Sequence, residues 1–305
     1  MRAVLGAAVA ARGVVLPASA AAPAAAPAPP GPARGARAAR GGAGGGGGRA
    51  RGGGGGGPPP GGGGGGRAGY RLVDTAAQYG NEAAVGQGLR DSGLDPDEAL
   101  ITTKIAGGDQ GRAEAREGLV GSLRRLGLPR VALTLIHWPN PSRGLALDTW
   151  RTLVELKEEG LTQHIGVSNF RPEQLQQLID ETGVAPEVNQ IQLSPALQRR
   201  EAVAFHREHG IVTQAWGPLG GREGLGEQFA LRRVAEKHGV STSQISLRWA
   251  VDQDIVVIPK SQDPTRQRTN ATLEGISLDD EDRALLANLD LGEDAAWDSR
   301  EHEEW

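Results

Sequence analysis

Four polar side chains sit at the ends of three successive β-rich runs or in the loop after the first of them: Asp74, Tyr79, Lys104 and His137. A phenol with its ordinary pKa of about 10 is a poor proton donor at neutral pH, but a neighbouring ammonium stabilises the phenolate and lowers that pKa. Lys104 is placed to do this for Tyr79. Asp74, ending the adjacent run, would keep the ammonium charged and oriented, while His137 on the next run would point at a substrate oxygen. Together they would build a proton donor beside an oxyanion site. The bland alternative is a strand-end ion pair with a buried tyrosine and a satisfied histidine; the order of the four across consecutive runs favours the chemical reading. Composition sharpens it. Lys occurs four times against 29 Arg, and two of the four, Lys104 and Lys260, end β-rich runs, so an ammonium rather than a guanidinium is wanted there. Further strand-end polar positions are Ser168 with Asn169, Gln190, Trp216, and Ser261 beside Lys260.

The elements that must position these residues can be read from periodicity. β-rich runs at 70–76, 99–105, 131–138, 162–169, 187–193, 211–217 and 255–261 alternate with stretches of helical spacing. Leu119, Leu123 and Leu126 share one helical face, as do Trp150, Leu153 and Val154, and Leu175, Leu178 and Ile179. Pro172 and Pro264 suit first helical turns, and Ser241 with Gln244 forms a capping box. Evenly repeated βα units predict an α/β fold of the (β/α)8 TIM barrel type, with seven of eight strands recognisable; no G-x-G-x-x-G turn marks a doubly wound sheet. In such a barrel, chemistry belongs at the C-terminal ends of the strands, where the polar set lies.

The chain is two materials joined. Residues 1–68 hold eight Arg, no Asp, Glu or Lys, and no aromatic residue. Residues 1–67 are therefore expected to be a disordered low-complexity segment, and 68–305 the barrel with a C-terminal tail. Removing the eight Arg from the formal net charge of −4 leaves −12 on the remainder, an acidic surface that argues against nucleic-acid binding. The Arg-Gly run at 49–67 lacks the interleaved aromatics that stack on bases. The absence of Cys excludes disulfides, thiol nucleophiles and zinc-thiolate sites. No metal is expected. No run of 18 apolar residues is present, so no membrane span is expected. A faint secretory outline at the start is interrupted by Arg12, and a cytoplasmic location is the expectation.

The motifs DTAAQYGNE, TTK, LTLIHWP, GVSNF, NQIQL, AWGPLG and IPKSQDPTR follow in order the pattern of the aldo-keto reductase family. Residues from about 68 to 295 resemble it, most closely its bacterial diketogluconate-reductase type. The resemblance implies a barrel that binds NADPH without a Rossmann fold and reduces a small-molecule aldehyde or ketone, in a protein expected to be monomeric. It makes Tyr79 the general acid, Lys104 and Asp74 its tuning pair, His137 the residue orienting the carbonyl and Trp138 a wall of the substrate pocket. It places Ser168, Asn169 and Gln190 on the nicotinamide carboxamide and Trp216 against the nicotinamide ring. Gly217 and Leu219 fall beside the cofactor, with Gly217 where a Ser is usual. Lys260, Ser261 and Arg266 correspond to the 2′-phosphate site and Asn270 to an adenine contact. Relatives carry a β-hairpin, a first strand and a first helix before their counterpart of AGYRLVDTA; here glycine-rich sequence stands instead. A mis-framed or mis-started translation and a natural deletion both account for that. The alternative to a working reductase is a catalytically impaired barrel that binds NADPH or a protein partner.

Overall fold

In the computed structural model the described residues are 16–17, 69–96, 98–220 and 225–304. The expectation of disorder over residues 1–67 lies outside them, apart from the two-residue strand β1, Leu16–Pro17. Seven further strands follow: β2 (Leu72–Asp74), β3 (Leu100–Ile105), β4 (Val131–Ile136), β5 (Thr162–Ser168), β6 (Val188–Gln192), β7 (Val212–Trp216) and β8 (Val256–Ile258). Each lies inside a run marked by the sequence.

All pairings are parallel and run in chain order from β1 to β8. β1 meets β2 at Leu16↔Val73 and Pro17↔Asp74. Among the described residues no pairing joins β8 to β1, so the barrel is nearly rather than fully closed. Two residues are too few to show an alternation, which is why this strand left no trace in the sequence pattern.

Helices follow the strands and cover the outside: α1 (Glu82–Ser92), α2 (Arg112–Leu126), α3 (Ala146–Glu158), α4 (Pro172–Thr182), α5 (Arg200–Glu208), α6 (Phe229–His238), α7 (Thr242–Val251), α8 (Pro264–Ala271) and α9 (Asp280–Ala287). The anticipated faces are the buried ones. α2 buries Leu119, Leu123 and Leu126, α3 buries Trp150 and Leu153, and α4 buries Leu175 and Leu178, while Val154 and Ile179 are half-buried at the margins. Pro172 and Pro264 stand in first helical turns, and Ser241 Oγ accepts from Gln244 N at 3.2 Å.

β4 is buried at every position, as befits a strand with side chains facing the barrel interior on one side and helices on the other. Leu72, Leu133, Leu135, Val188, Val212, Val256 and Ile258 pack together from strands alone. Larger clusters fill the layer between strands and helices. Tyr70, Val73, Val85, Leu89, Leu94 and Ile101 line an apolar cleft between β2, β3 and α1. Among the described residues no helix is long and apolar enough to cross a membrane.

The first βα unit is tied to the second by close backbone approach. A Cβ on Gly86 of α1 would lie 2.0 Å from the carbonyl oxygen of Leu126 at the end of α2. Gly86→Ala is therefore expected to lower stability by about 1–3 kcal/mol. A urea titration checks this: the midpoint should fall with an unchanged slope, and an unmoved midpoint would contradict such close packing.

Candidate active site

The C-terminal ends of the strands deliver the polar set to one mouth of the barrel. Asp74 is the last residue of β2, Lys104 lies one before the end of β3, and His137 follows β4 directly. Register brings them level: Asp74 pairs with Thr102 and Lys104 with Leu135, so successive strands advance the polar position up a staggered sheet. Tyr79 ends a short 3-10 turn, Ala77–Tyr79, that carries it back over the mouth from β2.

Lys104 is fully buried, and all three of its ammonium hydrogens have an acceptor. Nζ donates to Asp74 Oδ2 at 2.7 Å, to the Thr75 carbonyl oxygen at 3.0 Å and to the Tyr79 hydroxyl oxygen at 3.3 Å. The same Tyr79 hydroxyl lies 3.4 Å from His137 Nε2. The other Asp74 oxygen, Oδ1, accepts from Gln190 Nε2 at 2.8 Å, and that amide also donates to Gln214 Oε1 at 2.6 Å. The four residues singled out from the sequence therefore form one continuous cluster.

Burial and charge set the protonation states. Burial would push the Lys104 ammonium down, but the Asp74 carboxylate and Tyr79 raise it, so it stays charged. For Tyr79 burial of the hydroxyl end dominates and raises the pKa; Lys104 opposes it, and Asp74 adds to the rise. The lowering expected from Lys104 is thus present but outweighed by desolvation. The tyrosine as a whole remains 40% exposed, with its hydroxyl against two buried partners, Lys104 and His137. Burial pushes His137 below its ordinary value, Glu304 pulls it back up, and Lys104 lowers it further. At neutral pH the arrangement presents a protonated phenol, a charged ammonium and a neutral imidazole.

The next strands supply a linked rim. Ser168 Oγ donates to the Gln190 carbonyl oxygen at 2.9 Å. Asn169, with its backbone in the left-handed region at φ 64°, donates from Nδ2 to the His137 carbonyl oxygen and to Ser168 Oγ, both at 3.1 Å. Its Oδ1 accepts from Trp216 Nε1 at 2.7 Å, which fixes the indole over this side of the mouth. Gly217 follows at φ 64°, in the left-handed region that favours glycine. Leu219 packs partly buried against the outer core.

Lys260, Ser261 and Arg266 form a separate group on the loop after β8 and the first turn of α8. Lys260 and Arg266 are exposed, and among the described residues neither is held in an ion pair. Asn270, further along α8, is buried.

The C-terminal tail, which the sequence marked only as a segment after the barrel, closes over the mouth. The Trp138 ring lies 4.1 Å from that of His302 and stacks at 6.1 Å on Trp297, which also meets Trp216 edge-on at 6.5 Å. Glu304 Oε1 comes within 2.6 Å of His137 Nδ1, a contact short in distance but off the axis of a ring N–H. No periodicity announces this carboxylate; the one available signal was a cluster of Trp, His and Glu in a segment with no helix or strand pattern.

Chemically, the cluster can hand a proton to an oxygen placed between Tyr79 and His137, under aromatic walls. Comparison with known proteins agrees with the fold and with the family resemblance. The model of the aldo/keto reductase family matches residues 67–290. The chain is 47% identical over 237 residues to 2,5-diketo-D-gluconic acid reductase B of Corynebacterium sp. (strain SHS752001), covering 78% of this chain and 86% of that one. It is 42% identical over 225 residues to methylglyoxal reductase DkgA of Escherichia coli (strain K12), covering 73% and 81%. Among solved structures, a mutant of Gox0644 in complex with NADPH superposes with a TM-score of 0.72 at 40% identity, covering 77% of this chain and 84% of that one. With strands, cluster and relatives in agreement, the chain belongs to the aldo/keto reductase family.

Proposed function

We propose that the protein is an NADPH-dependent reductase of aldehyde or ketone carbonyls. The observation that carries this reading is the Tyr79 hydroxyl held between Lys104 Nζ at 3.3 Å and His137 Nε2 at 3.4 Å. Nothing in a merely structural ion pair requires a phenol at that meeting point.

The residues present fit the cofactor. Lys260 and Arg266 are exposed cations, as a 2′-phosphate needs, Ser261 adds a hydroxyl in the same loop, and Asp263 Oδ1 is occupied by the backbone N–H groups of Thr265 and Arg266. The buried Asn270 on α8 suits the adenine contact. Gly217 leaves open space where a side chain would project, so the backbone can approach a phosphate, and Leu219 lies two residues on. Ser168, Asn169 and Gln190 would hold the carboxamide, and Trp216, pinned by Asn169, would set which face of the nicotinamide ring looks into the pocket. Bound in this way, NADPH supplies the hydride that reduces the carbonyl carbon.

The chain's own part is proton delivery and orientation. The Tyr79 hydroxyl, kept protonated by burial, donates its proton to the oxygen that becomes an alkoxide, and the developing phenolate is stabilised by Lys104. Asp74 keeps the ammonium charged and aimed. His137 Nε2 faces the same oxygen position, and Trp138 walls the pocket. A second reading, a barrel that binds NADPH or a partner without turnover, is favoured by one observation: among the described residues β1 has two residues and no pairing joins it to β8.

Tyr79→Phe should lower kcat by about 10²–10⁴-fold, the usual contribution of a positioned acid. Following nicotinamide absorbance with a panel of small aldehydes and ketones checks this; equal rates would overturn the assignment, and NADPH binding without turnover in the unaltered protein would support the second reading. Lys260→Ala and Arg266→Ala should each weaken NADPH by roughly tenfold or more, the worth of a charge-assisted contact, while leaving NADH affinity nearly unchanged. Fluorescence titrations with both nucleotides separate these outcomes; a parallel loss for NADH would move the 2′-phosphate site elsewhere.

A further inference from the structure

One buried carboxylate at the mouth has no part in the chemistry above. Glu304 is 8% exposed, and its backbone is held at both ends by one side chain: Asn140 Nδ2 donates to the Glu304 carbonyl oxygen at 3.1 Å, and Asn140 Oδ1 accepts from Glu304 N at 2.9 Å. Gly107 N donates to Glu304 Oε2 at 3.0 Å, and Ser142 N donates to Glu303 Oε1 at 2.8 Å. A Cβ on Gly107 would lie 2.0 Å from the Glu304 carbonyl oxygen, so the loop after β3 is shaped to receive the tail. These anchors bring Glu304 Oε1 to 2.6 Å from His137 Nδ1.

An ionised carboxylate 2.6 Å from Nδ1, though off the axis of a ring N–H, sets its negative charge against that nitrogen. The charge favours a proton on Nδ1 over one on Nε2. Neutral imidazole has only one, so with Glu304 ionised it resides on Nδ1, and Nε2 is left as an acceptor facing the Tyr79 hydroxyl. In that form His137 has nothing to donate to a carbonyl oxygen. Donation from Nε2 needs one further proton on the pair, held either as imidazolium beside carboxylate or as neutral imidazole beside carboxylic acid.

We propose that Glu304 is a positioning residue that decides which nitrogen of His137 carries the proton, making His137 a donor to the substrate carbonyl only when the His137–Glu304 pair holds one proton more than its resting state. The proposal rests on the reductase reading of the site. The charged and titratable groups around the pair act in both directions. Lys104 from β3 opposes the extra proton, and Asp74 from β2 favours it. Tyr79 lies at Nε2; His302 and Glu303 flank from the tail, and Arg143, which donates to the Gly107 carbonyl oxygen, comes from the loop after β4. Burial of His137 opposes the extra proton, so it is taken up only on the acid side of the imidazole's ordinary range.

The test has two readouts on the full chain. Nitrogen NMR of histidine-labelled protein, without nucleotide, reads the His137 tautomer directly; the expected result is the proton on Nδ1 at and above neutral pH, and a proton on Nε2 overturns the proposal whatever the activity. The second is the pH dependence of kcat for carbonyl reduction in the parent and in Glu304→Gln, whose amide keeps the shape and the Gly107 contact and can donate to Nδ1. The parent rate should fall by up to tenfold per pH unit above the titration of the pair, and Glu304→Gln should lose that slope. An identical slope in both proteins overturns the proposal. Failure of the reductase reading shows separately, as equal turnover by the parent and Tyr79→Phe, and leaves the tautomer measurement intact.

Discussion

The ammonium of Lys104 cannot stay charged inside the barrel unless its neighbours hold it there. Its desolvation costs several kcal/mol, and three acceptors offset that cost: Asp74, the Thr75 carbonyl oxygen and the Tyr79 hydroxyl. Two of the three come from the end of β2 and the residue after it. The third comes from the turn that β2 launches. β2 and β3 must therefore pair in the observed register, since a one-residue slip would turn Lys104 or Asp74 from the interior to the helical layer.

The same pair governs the chemistry around it. Lys104 does not pull the Tyr79 pKa below its ordinary value, because desolvation outweighs it and the phenol keeps its proton. That suits a group that must give a proton up only when negative charge develops beside it. His137, neutral through burial, and Glu304 from the tail complete a line of polar groups running from the barrel interior to the chain's last turns. An aromatic lid of Trp138, Trp297 and Trp216 shields that line from one side.

Much of this was legible in the sequence. The seven longer strands carry dense β-branched and apolar runs, and helices such as α2 and α4 show their buried faces in leucine spacing. Asp74, Tyr79, Lys104 and His137 were legible as a set because they fall in order at the ends of three successive β-rich runs or in the loop after the first. Strand β1 was not, since two residues carry no period. Gln190 was marked for its place in NQIQL, but its donation to Asp74 and Gln214 depends on three strands meeting in the interior, which no local pattern records.

The order of elements, the faces they bury and the kinds of group available for chemistry are local properties, and the sequence by itself determined them. The protonation state of each group was decided only by the tertiary structure. A pKa responds to desolvation and to charges a few ångströms away, and here those come from residues 25 to 167 positions distant: Lys104 on Tyr79, Glu304 on His137. Whether Tyr79 holds its proton, and which nitrogen His137 offers, follow from how the barrel and its tail close around them.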